Sequence, residues 1–423
     1  MPRGSRCQVR YPVRIRVLSN KRIILGVTGG VAAYKAAFLA SWLTQAGARI
    51  DVVMTQAATR FVTPLTFQAV ARRDVYTDLF ELEPGPDAGE VRIPHIALAK
   101  EADLLLIAPA SANTLSKLAH GLADNLLTNI ALATPAPLLI APAMESDMWV
   151  HPATQANVGI LRERGVTLVG PASGHLASGA EGMGRMSEPE EILEMARVVL
   201  GRKGDLAGRR VVVSAGGTRE AIDPVRFISN HSSGKMGYAL ALAARDRGAQ
   251  VTLVTAPTCL PDVVGATTIH VTSANHMRDA ILAAIDGADA LIMAAAVADY
   301  RPIEISTQKI KKTEHQLRLH LTRTPDILAE VAQSRASGAG PRIMVGFAAE
   351  TEDLLVNARE KLHRKRLDLI AANDVGATDA GFSVDTNRVT LISADGKIEA
   401  LPLMSKDEVA HAIWDWVAKR FRP

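Results

Sequence analysis

Twice along its length this chain runs a short apolar segment into a pair of glycines and then into a helical pattern. That repeat constrains the fold more than any other feature. Arg22–Thr28 is strand-like and leads into Gly29-Gly30, and Val31–Ala46 follows with helical periodicity, stopped by Gly47. Further strand-like runs lie at Ile50–Met54, Leu104–Ala108, Leu138–Ala141 and Val166–Val169. The pattern restarts at Arg210–Ser214, which ends in Gly216-Gly217. A helix from Lys235 to Arg247 stops at Gly248, and Gln250–Val254, Ala290–Ala295, Ile343–Phe347 and Leu367–Ala371 continue the series. Strands separated by helices predict parallel sheets covered on both faces. Near the C-terminus, Arg388–Ile392 and Lys397–Leu401 flank Asp395-Gly396, a hairpin signal, and Lys406–Arg420 reads as a final helix. The expected class is α/β, with two tandem Rossmann-like domains at 20–190 and 209–423. A basic extension, 1–19, precedes them, and a linker, 191–208, rich in Gly and basic residues from Gly201 onward, joins them.

A length of 423 residues suits two or three domains. With 48% hydrophobic and 22% charged residues, the chain is neither disordered, collagen-like nor a coiled coil. Cys7 and Cys259 are its only cysteines, which excludes a disulfide scaffold and suits a reducing cytoplasm. The longest apolar runs, Leu104–Ala110 and Ala290–Ala298, fall short of the roughly 18 residues that span a bilayer and read as buried strands, so no membrane partner is expected. Arg3, Arg6, Arg10, Arg14, Arg16, Lys21 and Arg22 precede the first acid, Asp51, without the apolar stretch of a secretory signal. They read as a ragged basic tail or as the product of a start codon placed too far upstream. They supply much of the net charge of +4, so that charge does not point to nucleic acid.

Each strand-to-glycine turn puts backbone N–H groups at a helix N-terminus, where phosphate binds well. Neither turn is a G-x-G-x-x-G and no Walker motif exists, so each reads equally as a tight βα connection. Pro109-Ala110-Ser111-Ala112-Asn113-Thr114 follows a buried strand, at the position where open α/β sheets bind ligands, though these residue types also cap helices. His95, between Pro94 and Ile96, has a side chain able to change charge near pH 7, and is equally readable as an ordinary core or surface histidine. Ser229-Asn230-His231-Ser232-Ser233-Gly234-Lys235-Met236-Gly237 opens a helix and reads as a phosphate site or an N-capped helix with an exposed lysine. Lys309-Ile310-Lys311-Lys312 follows a strand end, and Lys361, Arg364, Lys365 and Arg366 close a helix over Glu352–Lys365. Basic clusters of this kind are solvated faces or polyphosphate clamps.

Thr28-Gly29-Gly30-Val31-Ala32-Ala33-Tyr34-Lys35, Pro94-His95-Ile96 with Leu98-Ala99-Lys100, and the run PASANTLSKLAHGLADNLLT resemble the FMN-dependent cysteine decarboxylases. The likeness continues through Pro142-Ala143-Met144, Met148-Trp149 and Gly182-x-Gly184-Arg185-Met186. It implies a flavodoxin-like domain. In that family the flavin oxidises a cysteinyl thiol, carbon dioxide leaves, and reduced flavin returns the hydride to an enethiol. By this resemblance His95 is the active-site histidine, and Gly29, Gly30, Thr55, Ser111, Asn113 and Thr114 fall in flavin-contacting segments.

Two residues depart from that pattern. Glu145 stands where the family has an Asn thought to hold the substrate carboxylate. An ionised Glu repels a carboxylate about 4 Å away by about 1 kcal/mol in water and about 4 at an effective dielectric of 20, unless burial protonates it or it points elsewhere. In Ser173-Gly174-His175-Leu176-Ala177-Ser178-Gly179, Ser178 replaces the cysteine thought to donate a proton during enethiol reduction. A hydroxyl is a far weaker acid than a thiol of pKa about 8.5.

The second half resembles the phosphopantothenate–cysteine ligases across 209–423, through SAGGTREAIDPVRFISNHSSGKMGYALA, AAAVADYR, KIKK, TPDIL, GFAAET and LDLIAANDV. Together the halves are similar to the bifunctional coenzyme A biosynthesis family. The resemblance implies that CTP, with Mg²⁺ screening its phosphates, activates 4′-phosphopantothenate as an acyl-cytidylate. Cysteine then attacks through its amine, and the product is decarboxylated to 4′-phosphopantetheine. Asn230 and Lys309 match the ligase's functional asparagine and lysine. Met293, Ala294, Ala295, Asp299, Pro325, Asp326, Ile327, Leu328, Phe347, Lys361 and Lys365, with Lys309, match its CTP contacts. It further implies homo-oligomers, with ligase dimers and flavin-domain trimers combining into a dodecamer. The departures at Glu145 and Ser178 leave open a second reading, a ligase carrying a non-catalytic flavin-binding or scaffold domain.

Overall fold

The computed structural model describes residues 14–80, 83–84, 91–311, 317–350, 353–374 and 384–421. Their contacts divide the chain between Gly201 and Arg202 into two units.

The first unit is built on six strands, β1 (Arg22–Val27), β2 (Arg49–Met54), β3 (Val75–Tyr76), β4 (Leu104–Ala110), β5 (Leu138–Pro142) and β6 (Thr167–Leu168). They lie in the order β3-β2-β1-β4-β5-β6, all parallel. β4 is buried along its whole length, as a continuous apolar run in a sheet covered on both sides must be. Two hydrophobic clusters, one centred on Leu25, Leu39 and Ile192 and one on Ile24, Leu105 and Leu127, cover the two faces. The chain leaves β1 toward one edge and returns at β4 on the other side. The switch point therefore lies between β1 and β4, at their carboxyl ends. Beyond β6, Ala172–His175 and Glu181–Arg185 pair as an antiparallel hairpin.

Two boundaries differ from the sequence reading. Ile15 and Leu18, placed above in the extension 1–19, are buried in the core beside helix Ala33–Gln45. The Ile15 N–H donates to Ala46 O at 3.0 Å and the Asn20 N–H to Gly47 O at 2.9 Å. Burying two such side chains is worth about 1.5–3 kcal/mol each, which fixes this stretch despite its arginines. Likewise most of the linker 191–208 is helix. Pro189–Gly201 packs Ile192, Leu193, Ala196 and Val199 into the first unit's core, an apolar stripe at helical spacing.

The second unit is built on a sheet of eight strands, β7 (Arg210–Ala215), β8 (Gln250–Thr255), β9 (Thr267–His270), β10 (Ala290–Met293), β11 (Ile343–Glu350), β12 (Leu369–Asp374), β13 (Val389–Ser393) and β14 (Ile398–Ala400). Their order is β9-β8-β7-β10-β11-β12-β13-β14. β9 through β12 are parallel, and β13 and β14 extend the sheet antiparallel around the Asp395-Gly396 turn. The switch point lies between β7 and β10. The final helix, Lys406–Phe421, packs on Lys235–Asp246, where the fully buried Trp414 donates its indole N–H to Leu240 O at 2.8 Å. Two short hairpins at the carboxyl side, Arg219–Ala221 with Phe227–Ser229 and Tyr300–Pro302 with Leu321–Arg323, lack apolar runs and were not foreseen.

Candidate active sites

In the first unit the positions that the resemblance assigns to flavin contact lie around the switch point. Thr28, buried at the end of β1, donates its hydroxyl to Pro109 O at 2.8 Å and accepts from the Ser111 N–H at 3.0 Å, tying β1 to β4. Ser111 caps helix Ala112–His120, accepting from the Thr114 N–H at 3.3 Å, so its capping reading holds. Asn113 is exposed in the first turn of that helix. Thr55 follows β2, its N–H donating to Val27 O at 3.0 Å, which places it beside the β1 turn. A Cβ on Gly29 would stand 2.5 Å from Ala57 Cβ, so only glycine lets this turn close, whereas Gly30 faces open space. Helix Ala33–Gln45 starts with no side-chain cap. Open space at an uncapped helix N-terminus is what an anion needs.

His95 sits in the first turn of helix Pro94–Glu101, half-buried, and its Nδ1 is buried without a hydrogen-bond partner among the described residues. An orphaned ring nitrogen costs free energy unless a ligand or water meets it. Glu145 is half-buried at the start of helix Ser146–Val150, whose first turn it does not cap with its side chain. The hairpin presses on that turn. The Met144 N–H donates to Gly184 O at 3.0 Å, and a Cβ on Gly184 would fall 2.2 Å from Met144 O. Ser178 lies exposed between the hairpin's strands, accepting from the Ala180 N–H at 3.2 Å. The hairpin whose turn carries Ser178 thus touches the backbone of Met144, the residue before Glu145.

In the second unit a cavity of about 1360 Å³ opens beside the β7–β10 switch point. Asn230, Met293, Ala294, Ala295, Asp299, Pro325–Leu328, Phe347, Lys361 and Lys365 all line it. The loops are laced to one another. Ser214, at the end of β7, accepts from the Ala295 N–H at 3.0 Å, and Thr218 accepts from the Ala298 N–H at 2.9 Å. Asn230 donates its side-chain amide to Val297 O at 3.2 Å, and the Thr324 hydroxyl donates to Ala298 O at 2.6 Å. Gly217 permits the approach, since a Cβ there would stand 2.9 Å from Asn230 O. Lys361 donates to Phe347 O at 2.8 Å, and Lys365 pairs with Asp326, which caps helix Ile327–Ala336. Burial pulls the Lys365 amine below its ordinary range, opposed by Asp299. Lys309 is exposed and is not part of the cavity lining. It lies on the segment leading away from Tyr300–Pro302. Lys312 falls outside the described residues.

Residues 15–200 match the family described as Flavoprotein, and residues 206–421 match the DNA/pantothenate metabolism flavoprotein C-terminal domain. The coenzyme A biosynthesis bifunctional protein CoaBC of Bacillus subtilis is 47% identical over 405 residues, covering 95% of this chain and 98% of its own length. The chain belongs to that bifunctional family. The member from Mycobacterium bovis is 46% identical over 407 residues, covering 93% of this chain and 96% of its own. A crystal structure of the C-terminal domain of a CoaBC protein aligns with 51% of this chain and 97% of its own, at 38% identity and a TM-score of 0.44.

The cavity of this family member also holds residues that the sequence reading passed over. Asn373 and Asn387 line it, buried, each with a side-chain carbonyl oxygen lacking a partner among the described residues. Asn373 is the penultimate residue of β12 and Ser111 follows β4, so the strand-end argument applied to Ser111 reaches it as well. Asn387 stands in a short bridge, Thr386–Asn387 with Met404–Ser405, that no periodicity announces. Lys406 lines the cavity too. Burial and the neighbouring Lys235 lower its amine to about 8, against the pull of Asp385.

Proposed function

We propose that the second unit joins 4′-phosphopantothenate to cysteine at the expense of CTP, and that the first decarboxylates the product to 4′-phosphopantetheine. The observation that carries the ligase reading is the convergence of Asn230, Asp299, Pro325–Leu328, Phe347, Lys361 and Lys365 on one cavity at a topological switch point. In this reading Asp299 and the Pro325–Leu328 turn hold the nucleoside, while Lys361 and Lys365 neutralise its phosphates. Asn230, held by Val297 O, orients the activated carboxyl. Lys309 stabilises charge developing on the acyl phosphate. Mg²⁺ travels with the triphosphate. Among the described residues no three His, Cys, Asp or Glu side chains gather to hold a metal.

For the first unit the residues fit FMN. The glycine turn closes against Ala57, leaves open space at Gly30, and offers an uncapped helix terminus for the phosphate. Bound FMN supplies the two-electron acceptor and donor of the decarboxylation. His95 brings a buried, unpartnered Nδ1 that can hold a proton or a substrate oxygen. The hairpin that carries Ser178 packs its strand Glu181–Arg185 against the turn of Glu145. In this reading the protein acts as a homo-oligomer in the cytoplasm. No helix among the described residues is long and apolar enough to cross a membrane.

The test is one reaction followed by mass spectrometry, with full-length protein, 4′-phosphopantothenate, cysteine, CTP and Mg²⁺. Both activities yield 4′-phosphopantetheine. Accumulation of 4′-phosphopantothenoylcysteine without loss of carbon dioxide would leave a ligase alone, and no pyrophosphate release would refute the ligase reading.

A further inference from the structure

The two residues given chemical roles in the ligase, Asn230 and Lys309, lie on segments about 80 residues apart in sequence, and one buried carboxylate lies between those segments. Asp223 is 3% exposed. Its Oδ1 accepts from the Val225 and Arg226 N–H groups, each at 2.8 Å, and its Oδ2 accepts from Arg226 Nε at 2.9 Å and from the Ile310 N–H at 3.2 Å. Arg226 completes the loop by donating from Nη2 to Ile310 O at 3.0 Å. Both backbone polar groups of Ile310 are therefore held, one by each member of an ion pair, and Ile310 is the residue next to Lys309. A further bond, Ser306 N–H to Ile222 O at 3.0 Å, fixes the start of the same segment. On the other side, Arg226 leads directly into strand Phe227–Ser229 and so to Asn230.

We propose that Asp223 is a positioning residue for the ligase reaction, locking the segment of Lys309 to the turn that presents Asn230. The proposal rests on the roles given above to those two residues. A carboxylate with this many donors is held ionised, and the Arg226 guanidinium and backbone N–H groups keep its pKa well below the usual range. It therefore does not take part as an acid or base. An exposed lysine on an irregular segment has many conformations, and pinning the adjacent peptide unit on both sides removes most of that freedom before substrate arrives. Asp223→Asn keeps the size but replaces one acceptor oxygen with an N–H₂ group that cannot accept from Ile310 or Arg226.

The experiment measures CTP-dependent pyrophosphate release by full-length Asp223→Asn, Lys309→Gln and the double variant, with melting curves of each. A misplacement of about 1 Å is enough for a hundredfold loss. The expected result is thus a fall of about a hundredfold in kcat for Asp223→Asn, a KM for CTP within about twofold of the parent, and a double variant no slower than Lys309→Gln. Full kcat in Asp223→Asn while Lys309→Gln is inactive, or losses that multiply in the double variant, would overturn the proposal and leave the roles of Asn230 and Lys309 standing. Full activity in Lys309→Gln would remove the role of Lys309 and the proposal with it. If Asp223→Asn does not fold, Ile310→Pro decides. It deletes the N–H donor and leaves the carboxylate in place, while its ring also restricts the backbone of Lys309. It should reproduce the loss of kcat and its absence in the Lys309→Gln background, and a fully active Ile310→Pro would refute the anchor.

Discussion

Gly237 offers the sharpest test of how the ligase cavity is built, because two opposing effects of one methyl group can be separated there. It lies in the first turn of helix Lys235–Asp246, in ordinary helical conformation, so alanine would be favoured intrinsically by about 0.8–1 kcal/mol. A Cβ added at this position, however, would stand 2.5 Å from Ala215 Cβ and 2.6 Å from Ser214 O, at the end of β7. Ordinary contact begins at 3.4 Å, so the helix start must withdraw by about 0.9 Å. Overpacking of this kind costs about 1–3 kcal/mol, and the net loss of stability for Gly237→Ala is then about 0–2 kcal/mol. The effect on catalysis is larger. The withdrawn turn carries the cavity wall from Ser232 to Gly237, and Ser214 also holds the Ala295 N–H on the opposite wall. A shift near 1 Å in a positioning element costs on the order of a hundredfold.

The control lies in the other unit. Gly159 is also helical, within Pro152–Glu163, but a Cβ there meets nothing within 4 Å. Gly159→Ala should stabilise the first unit by about 0.8–1 kcal/mol and leave pyrophosphate release unchanged. Steady-state pyrophosphate release and calorimetric melting of the two variants give both readouts. Parent-like kcat in Gly237→Ala would refute the claim that close helix–strand contact at β7 sets the geometry of the cavity.

Three further outcomes follow from the sites. Ser178→Cys restores a thiol to the hairpin and should speed enethiol reduction, read as a higher ratio of 4′-phosphopantetheine to enethiol by mass spectrometry; an unchanged ratio removes Ser178 from the proton transfer. Glu145→Asn removes a negative charge from the turn under the hairpin and should lower the KM for 4′-phosphopantothenoylcysteine severalfold, whereas a higher KM would show that the glutamate is itself a substrate contact. Lys406 has its amine lowered to about 8 from 10.5, so between those values the unfolded chain binds the proton and the folded one does not. The stability of the second unit should rise as pH goes from about 8 to 10.5, with the penalty fully present below 8. Lys406→Met should flatten that rise in urea melts at stepped pH.

Much of this fold is legible in the sequence because its strands are buried on both faces. A run such as Leu104–Ala110 has no amphipathic ambiguity, and a glycine pair after such a run marks the turn into a helix. The elements that escaped are those whose residues answer to something other than burial. Ile15 and Leu18 are hidden among arginines, and the Arg219–Ser229 and Tyr300–Arg323 hairpins are short, polar and shaped by the loops they support. The same division runs through the sites. Ser111 was readable because it follows a strand and caps a helix, where local rules apply, whereas Asn230 was singled out by the resemblance, since it follows a hairpin strand with no apolar run and stands five residues before the helix that starts at Lys235. Asn387 and Asp223 owe their places to contacts with segments far away in sequence, Asn387 reaching the Met236 sulfur and Asp223 the Ile310 amide. Lys309 shows the cost of reading a motif without its support. Three lysines in four residues describe a charge, but it is the carboxylate more than 80 residues earlier that decides where the charge is held.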